Sequence, residues 1–298
     1  KHIGSDASKV YSFEPNMLYA TISEAHRVTM GQPVIPRLDL QGVKNIVGIG
    51  TDFLNTGTHP VYHSKLFASS HGVNPEKPFA QSYFTQFEAN YTATGGKADR
   101  RVVIGPGSEV IVALGILKEL ANNPRAKGGK AIASARSIVA ANASHLEDLD
   151  KQVVGGAEIV KKVAQGLLEE PGVVLAGSGD NFDENATNLQ IIAVHINALI
   201  GAYDRFLHVT KGPMLSPVKS NDLTRFMADA LEGKIDTLVM IDTNPAFTLP
   251  KGAGFDEAMK KIKTVLSVQA MPNESDEYAK YILPGHHYLE SWGDEQPA

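Results

Sequence analysis

Three short segments of this sequence carry residue types whose spacing could do chemistry. Gly48-Ile49-Gly50-Thr51-Asp52-Phe53 and Gly177-Ser178-Gly179-Asp180-Asn181 each follow an apolar run and combine two glycines with an acid. Glycines at such a place let backbone N–H groups approach a pyrophosphate, and a following helix adds the positive end of its dipole. Both lack the third glycine of the full dinucleotide pattern, so each also reads as a tight strand-to-helix turn. Asp242-Thr243-Asn244-Pro245 closes another apolar run. Its polar groups could hydrogen-bond a nucleobase or ribose, or form an Asx-turn locked by proline.

Other candidates are weaker. His59 and His63, like His286 and Glu290, stand four residues apart and could each give a metal two ligands, but two ligands do not make a site. The alternative for both pairs is surface or hydrogen-bonded histidine. His195 sits among Ile191, Ile192, Val194 and Ile196, where a core or interface histidine is expected. Asp180, Asp183 and Glu184 precede a helical window, where acids cap and complement the dipole. Cys is absent from the sequence, which removes thiolate nucleophiles, disulfides, and Cys-ligated zinc or iron–sulfur clusters. Neither a Gly-x-Ser-x-Gly elbow nor a Gly-x-x-x-x-Gly-Lys-Ser/Thr loop occurs, so serine nucleophiles and nucleotide hydrolysis find no support.

The elements that must position these segments are short β-type runs alternating with helical windows. Strands are expected at 45–50, 101–104, 172–177, 237–241 and 264–268, and helices over 59–70, 108–120 and 184–200, with Ser108 as an N-cap. A further helical stretch spans 131–168, interrupted at Gly155-Gly156. Val, Ile and Leu on both faces of the strands call for a parallel sheet covered on both sides, so the fold class is α/β with two Rossmann-like units. The expected division is residues 1–150 and 151–298.

The composition is that of a globular chain: 298 residues, 43% hydrophobic, 20% charged, net charge −5. No basic stripe neutralises phosphates, so nucleic-acid partners are excluded, and no apolar run approaches the roughly 18–20 residues that span a bilayer. The chain opens at Lys1 instead of Met and stops at Ala298 straight after a dense motif, as expected of a fragment of a longer subunit.

That last motif, Tyr281-Ile282-Leu283-Pro284-Gly285-His286-His287-Tyr288-Leu289-Glu290-Ser291-Trp292-Gly293-Asp294, resembles a signature of the molybdopterin (dimethyl sulfoxide reductase type) oxidoreductases. Its particular form is similar to the molybdopterin-like part of the iron–sulfur subunit of alternative complex III. Val47 to Thr56, Tyr91 to Arg100 and Asp242 to Phe247 resemble further motifs of that family, in the right order. Glu290, Trp292 and Asp294 read either as functional or as a turn locked by local hydrogen bonds.

The resemblance implies two nucleotide-binding-like units that, in active relatives, hold the two ends of a bis-molybdopterin guanine dinucleotide. Carried over by position, Gly50, Thr51, Asp52 and Phe53 would lie by one arm, and Gly177, Ser178, Asp180, Asp242 and Asn244 by the other. The family's amino-terminal Cys cluster motif and any Cys ligand to the metal are missing. The resemblance therefore implies a cofactor-free scaffold with no catalytic or metal-ligating residue of its own. It would stand beside other subunits of a membrane-bound respiratory quinol:electron-acceptor oxidoreductase, on the periplasmic side, with iron–sulfur clusters only outside this stretch. The alternatives are a fragment of a catalytic, polysulfide-reductase-type molybdoenzyme and, from the partial glycine loops alone, a nicotinamide-dependent dehydrogenase.

Overall fold

The computed structural model describes residues 9–12, 18–73, 75–76, 80–177, 185–212, 222–249, 251–287 and 289–293. In chain order the elements are α1 (Leu18–Met30), β1 (Arg37–Leu38), β2 (Asn45–Ile49), α2 (Pro60–His71), β3 (Tyr83–Glu88), β4 (Arg100–Val103), α3 (Glu109–Ala121), α4 (Gly129–Ala141), α5 (Leu149–Gln152), α6 (Gly156–Glu169), β5 (Gly172–Ala176), α7 (Ala186–Ile200), β6 (Leu207–His208), α8 (Asp222–Leu231), β7 (Thr237–Ile241), α9 (Pro245–Thr248), α10 (Phe255–Met259), β8 (Thr264–Gln269) and β9 (Tyr281–Pro284). They fall into two compact units, Asn16–Pro217 and Val218–Pro297 with Lys1–Pro15.

The larger unit is built on a parallel sheet of order β4-β3-β2-β5, in which β2 is central and pairs Val47 with Thr85 on one side and with Val174 on the other. β2 is buried almost throughout because the five-residue run Asn-Ile-Val-Gly-Ile offers apolar side chains to both faces. The helices α1, α3, α6 and α7 pack on one another, and α3, α6 and α7 lie against the sheet. Their apolar sides fill the core with Phe84, Phe87, Ile116, Leu117, Ile196 and Leu199, among others. α3 begins at the expected place, but Ser108 does not cap it through its side chain; its hydroxyl donates to Gln152 Oε1 instead (3.2 Å).

The expected boundary near Asp150 falls inside this unit. After the excursion through α4 to α6 the chain returns to the same sheet, and β5 takes the place beside β2. The link between the units lies instead near residue 217. β3 was not foreseen either, because Thr85, Gln86 and Glu88 break its apolar pattern; all three are nonetheless buried.

The sheet has an edge at β5, and an edge strand presents unpaired N–H and C=O groups. Here α7 covers them with side chains. Asn197 accepts from Val174 N–H (2.9 Å) and donates to Val174 C=O (2.8 Å), while Gln190 donates to Ala176 C=O (2.5 Å). Residues 190 and 197 are two helical turns apart and so share a face, which meets alternate residues of the strand.

The smaller unit is a three-stranded parallel sheet of order β7-β8-β9, with α8 and α10 contributing Phe226, Met227, Phe255 and Met259 to its own core. Tyr11 joins that core, its ring 5.4 Å from Phe226 and its hydroxyl donating to Asp229 (2.8 Å). No helix among the described residues is long and apolar enough to cross a membrane.

Candidate functional site

The carboxyl ends of parallel strands are where ligands of open α/β sheets bind, and both glycine turns lie there. Gly50 follows β2 and Gly177 follows β5, both with left-handed backbone (φ +58° and +85°) that favours glycine. Their N–H groups continue the ladder, Gly50 to Phe87 C=O (2.8 Å) and Gly177 to Ile49 C=O (3.0 Å). The two turns are thus neighbours on one sheet, where the sequence reading assigned them to separate arms. Asp242 and Asn244 belong to the other unit, and Ser178 and Asp180, with Gly179, Asp183, Glu184 and Asp294, lie outside the described residues.

Beyond Gly50, the Thr51 backbone and the side chains of Asp52 and Phe53 are occupied by the fold. The Thr51 carbonyl accepts from Gln86 Nε2 (2.7 Å). Asp52 Oδ1 accepts from Thr94 Oγ1 (2.5 Å) and Thr94 N–H (3.2 Å), and its Oδ2 from Asn55 (3.1 Å). Phe53 is buried against Phe67, Phe84 and His63. Behind this turn stands a polar cluster that the sequence reading did not find. Glu88, at the end of β3 and only 2% exposed, accepts from Arg101 Nε (2.5 Å), from Thr92 Oγ1 (2.6 Å) and more distantly from Gln86. Gly95 fits against it because a Cβ there would meet Glu88 Oε1 at 1.8 Å. The segments around Asp52 and Thr94, separate in sequence, are therefore one interlocked structure.

In the smaller unit the Asp242–Pro245 turn is likewise pinned. Gln269 donates to Thr243 C=O (2.7 Å), and the Asn244 amide donates to Glu274 (2.6 Å) while accepting from Ser275 Oγ (2.8 Å). Asp242 differs: it holds a left-handed backbone (φ +47°), and its side chain is exposed.

The metal candidates do not gain a third ligand, since the described residues hold no group of three or more His, Asp or Glu able to bind an ion. His59 and His63 do meet, with ring centroids 5.8 Å apart. Burial, chiefly, pushes the His63 imidazole down to about 4, helped by the neighbouring His59. His286 and Glu290 lie exposed on non-helical chain, and Trp292 is fully exposed. His195 is half-buried, and burial lowers its pKa.

A pterin dinucleotide would need free donors for its phosphates, free polar side chains for guanine, and a metal ligand. Of the seven candidate residues described, Gly50 and Gly177 have bonded amides, Asp52 and Asn244 have occupied side chains, Phe53 is buried, and the Thr51 carbonyl is taken. Asp242 alone among them presents a carboxylate with no hydrogen bond described. The sequence has no Cys to serve as a thiolate ligand, and the described candidate residues do not offer the open donor set that such a cofactor would need.

No protein-family model and no curated protein matches the sequence. Among solved structures, the chain is similar to acetylene hydratase from Pelobacter acetylenicus, with a TM-score of 0.67 and 12% identity over 92% of this chain and 45% of that one. The chain thus spans about half the length of that protein, and the likeness is one of fold: α/β, with parallel sheets covered by helices, as the strand and helix pattern led one to expect.

Proposed function

We propose that this chain is a scaffold: a molybdopterin-like part of a respiratory quinol:electron-acceptor oxidoreductase that has kept the cofactor-holding fold and no longer holds the cofactor. The observation that carries the reading is the closure of the β2 turn, where Asp52 is bound to Thr94 and the Gly50 amide to β3. A turn that satisfies itself presents a rigid surface and no phosphate cradle. The ordered motifs from Val47 to Asp294 support the assignment to the iron–sulfur subunit, and with it partner subunits at the membrane and a periplasmic position. No reaction step is assigned to the residues of this chain.

The test is metal and pterin analysis of the natural, full-length subunit purified within its complex. Neither molybdenum nor tungsten is expected in stoichiometric amount, and acid extraction should release no fluorescent pterin. A tightly held metal at one per subunit, with its pterin, would overturn the scaffold reading. It would favour the second one, part of a catalytic molybdoenzyme, for which the exposed carboxylate of Asp242 on its left-handed backbone speaks. Strained non-glycine backbone of that kind clusters at ligand sites.

A further inference from the structure

Beside the β2 turn the larger unit contains a cleft of about 100 Å³, partly open to solvent and bordered by Thr51 and Phe53. It lies between α1, α7 and the carboxyl ends of β2 and β5. Its walls are mostly apolar, with Ile22, Leu38, Phe53, Val174, Ala193 and Val194 among them. An apolar cavity of about 150 Å³ accommodates benzene; this one is smaller but partly open, so it suits a molecule of four to six heavy atoms.

Its polar wall is one-sided. His26 is buried, with Nδ1 bonded to Ile22 C=O (2.7 Å) and Nε2 to the Tyr203 hydroxyl (3.0 Å). Because a carbonyl can only accept, Nδ1 carries the proton, Nε2 accepts, and Tyr203 donates. The Tyr203 oxygen keeps its acceptor lone pairs. His63 also lines the space, but its Nδ1 is shut off from it and has no hydrogen-bond partner among the described residues. The amides of Asn197 and Gln190, which also line the space, are committed to β5. Burial lowers the pKa of both imidazoles and so favours their neutral forms, and a mostly apolar wall disfavours unpaired charge.

We propose that this cleft is a binding site for a small uncharged hydrocarbon carrying one hydroxyl, which donates its proton to the Tyr203 oxygen.

The probe is cyclopentanol, titrated calorimetrically into the full-length protein beside cyclopentane and cyclopentanecarboxylate. Saturable binding with one molecule per chain is expected for the alcohol. The hydrocarbon should bind about tenfold more weakly for want of one hydrogen bond, and the carboxylate should not bind. Ala193→Leu, which fills the cavity, should abolish binding. Should that variant fold poorly, the wild-type histidine ring resonances provide the readout, and those of His26 and His63 should shift on addition of alcohol. The proposal is overturned if cyclopentanol does not bind, if the carboxylate binds as well, if cyclopentane matches the alcohol, if binding survives in a folded Ala193→Leu, or if those ring resonances stay still.

Discussion

Asn197→Leu isolates the way α7 seals the sheet edge. Leu has nearly the shape of Asn, so the substitution keeps the volume while removing both hydrogen bonds to Val174, at 2.9 and 2.8 Å. Asn197 is 3% exposed and Val174 2%, so the freed N–H and C=O have little access to water. Each buried backbone group left unsatisfied costs about 1–3 kcal/mol, or about 2–6 for the pair. Extra apolar burial by Leu offsets about 1–2 kcal/mol of this, leaving a net loss of about 3 kcal/mol. Asn197→Ala should cost less, because the smaller side chain lets water reach Val174 from the adjoining cavity. Urea unfolding followed by circular dichroism would measure both. The melting temperature of Asn197→Leu should fall by roughly 6–12 °C for a unit of this size. The exposed Asn188→Ala, which loses only a 3.3 Å bond to Asn185, should change stability by less than about 0.5 kcal/mol. If Asn197→Leu costs no more than Asn197→Ala, satisfaction of the edge is not what Asn197 contributes, and the reasoning fails.

Three further outcomes are expected. Gly50→Ala forces a Cβ to 2.6 Å from Glu109 Cγ on a φ of +58°. It should cost about 2 kcal/mol, and combining it with Glu109→Ala should restore only part, because about 1–2 kcal/mol of left-handed strain remains; full restoration in thermal melts would assign the whole cost to crowding. Glu88→Ala leaves the Arg101 guanidinium without its 2.5 Å partner and should destabilise by about 3–5 kcal/mol. Adding Arg101→Leu should recover a measurable part of this in a double-mutant cycle, and strict additivity would contradict the pairing. His63 has a folded-state pKa near 4, well below that of an unfolded histidine. The unfolded chain therefore binds the proton first, and the contribution of neutral His63 is complete above about pH 6.5 and lost as the pH falls toward 4. Stability measured across that window should drop by on the order of 3 kcal/mol from this group, and His63→Phe should flatten the profile; an unchanged slope would show that the ring is not held neutral by burial.

Much of the framework was legible in local sequence. The runs around Val47, Val102, Val174, Val239 and Leu266 are apolar on both faces, which is how a strand inside a parallel sheet reads, and all five are strands. The glycine turns were legible because a left-handed residue at a strand end needs glycine. β3 was hidden by the same residues that give it meaning: Gln86 and Glu88 look like surface positions, yet they are buried, with Gln86 Nε2 donating to the Thr51 carbonyl and Glu88 accepting from Thr92 and Arg101. The return of β5 to the side of β2 is a non-local pairing across more than a hundred residues, and no window of sequence contains it. Asn197 and Gln190 left a fainter signal, two amides seven residues apart on an otherwise apolar helix.

The amide pair on α7 also bears on how this chain behaves outside its native state. A strand whose flank is guarded by two side chains, and not by a further strand or a proline, loses its guard whenever the helix lifts. At such moments the flank of β5 becomes a template onto which another copy can add, the first step toward ordered aggregates. At the β5 edge, resistance to such growth rests on Gln190 and Asn197, and a lesion at either should be felt first in shelf life and folding yield.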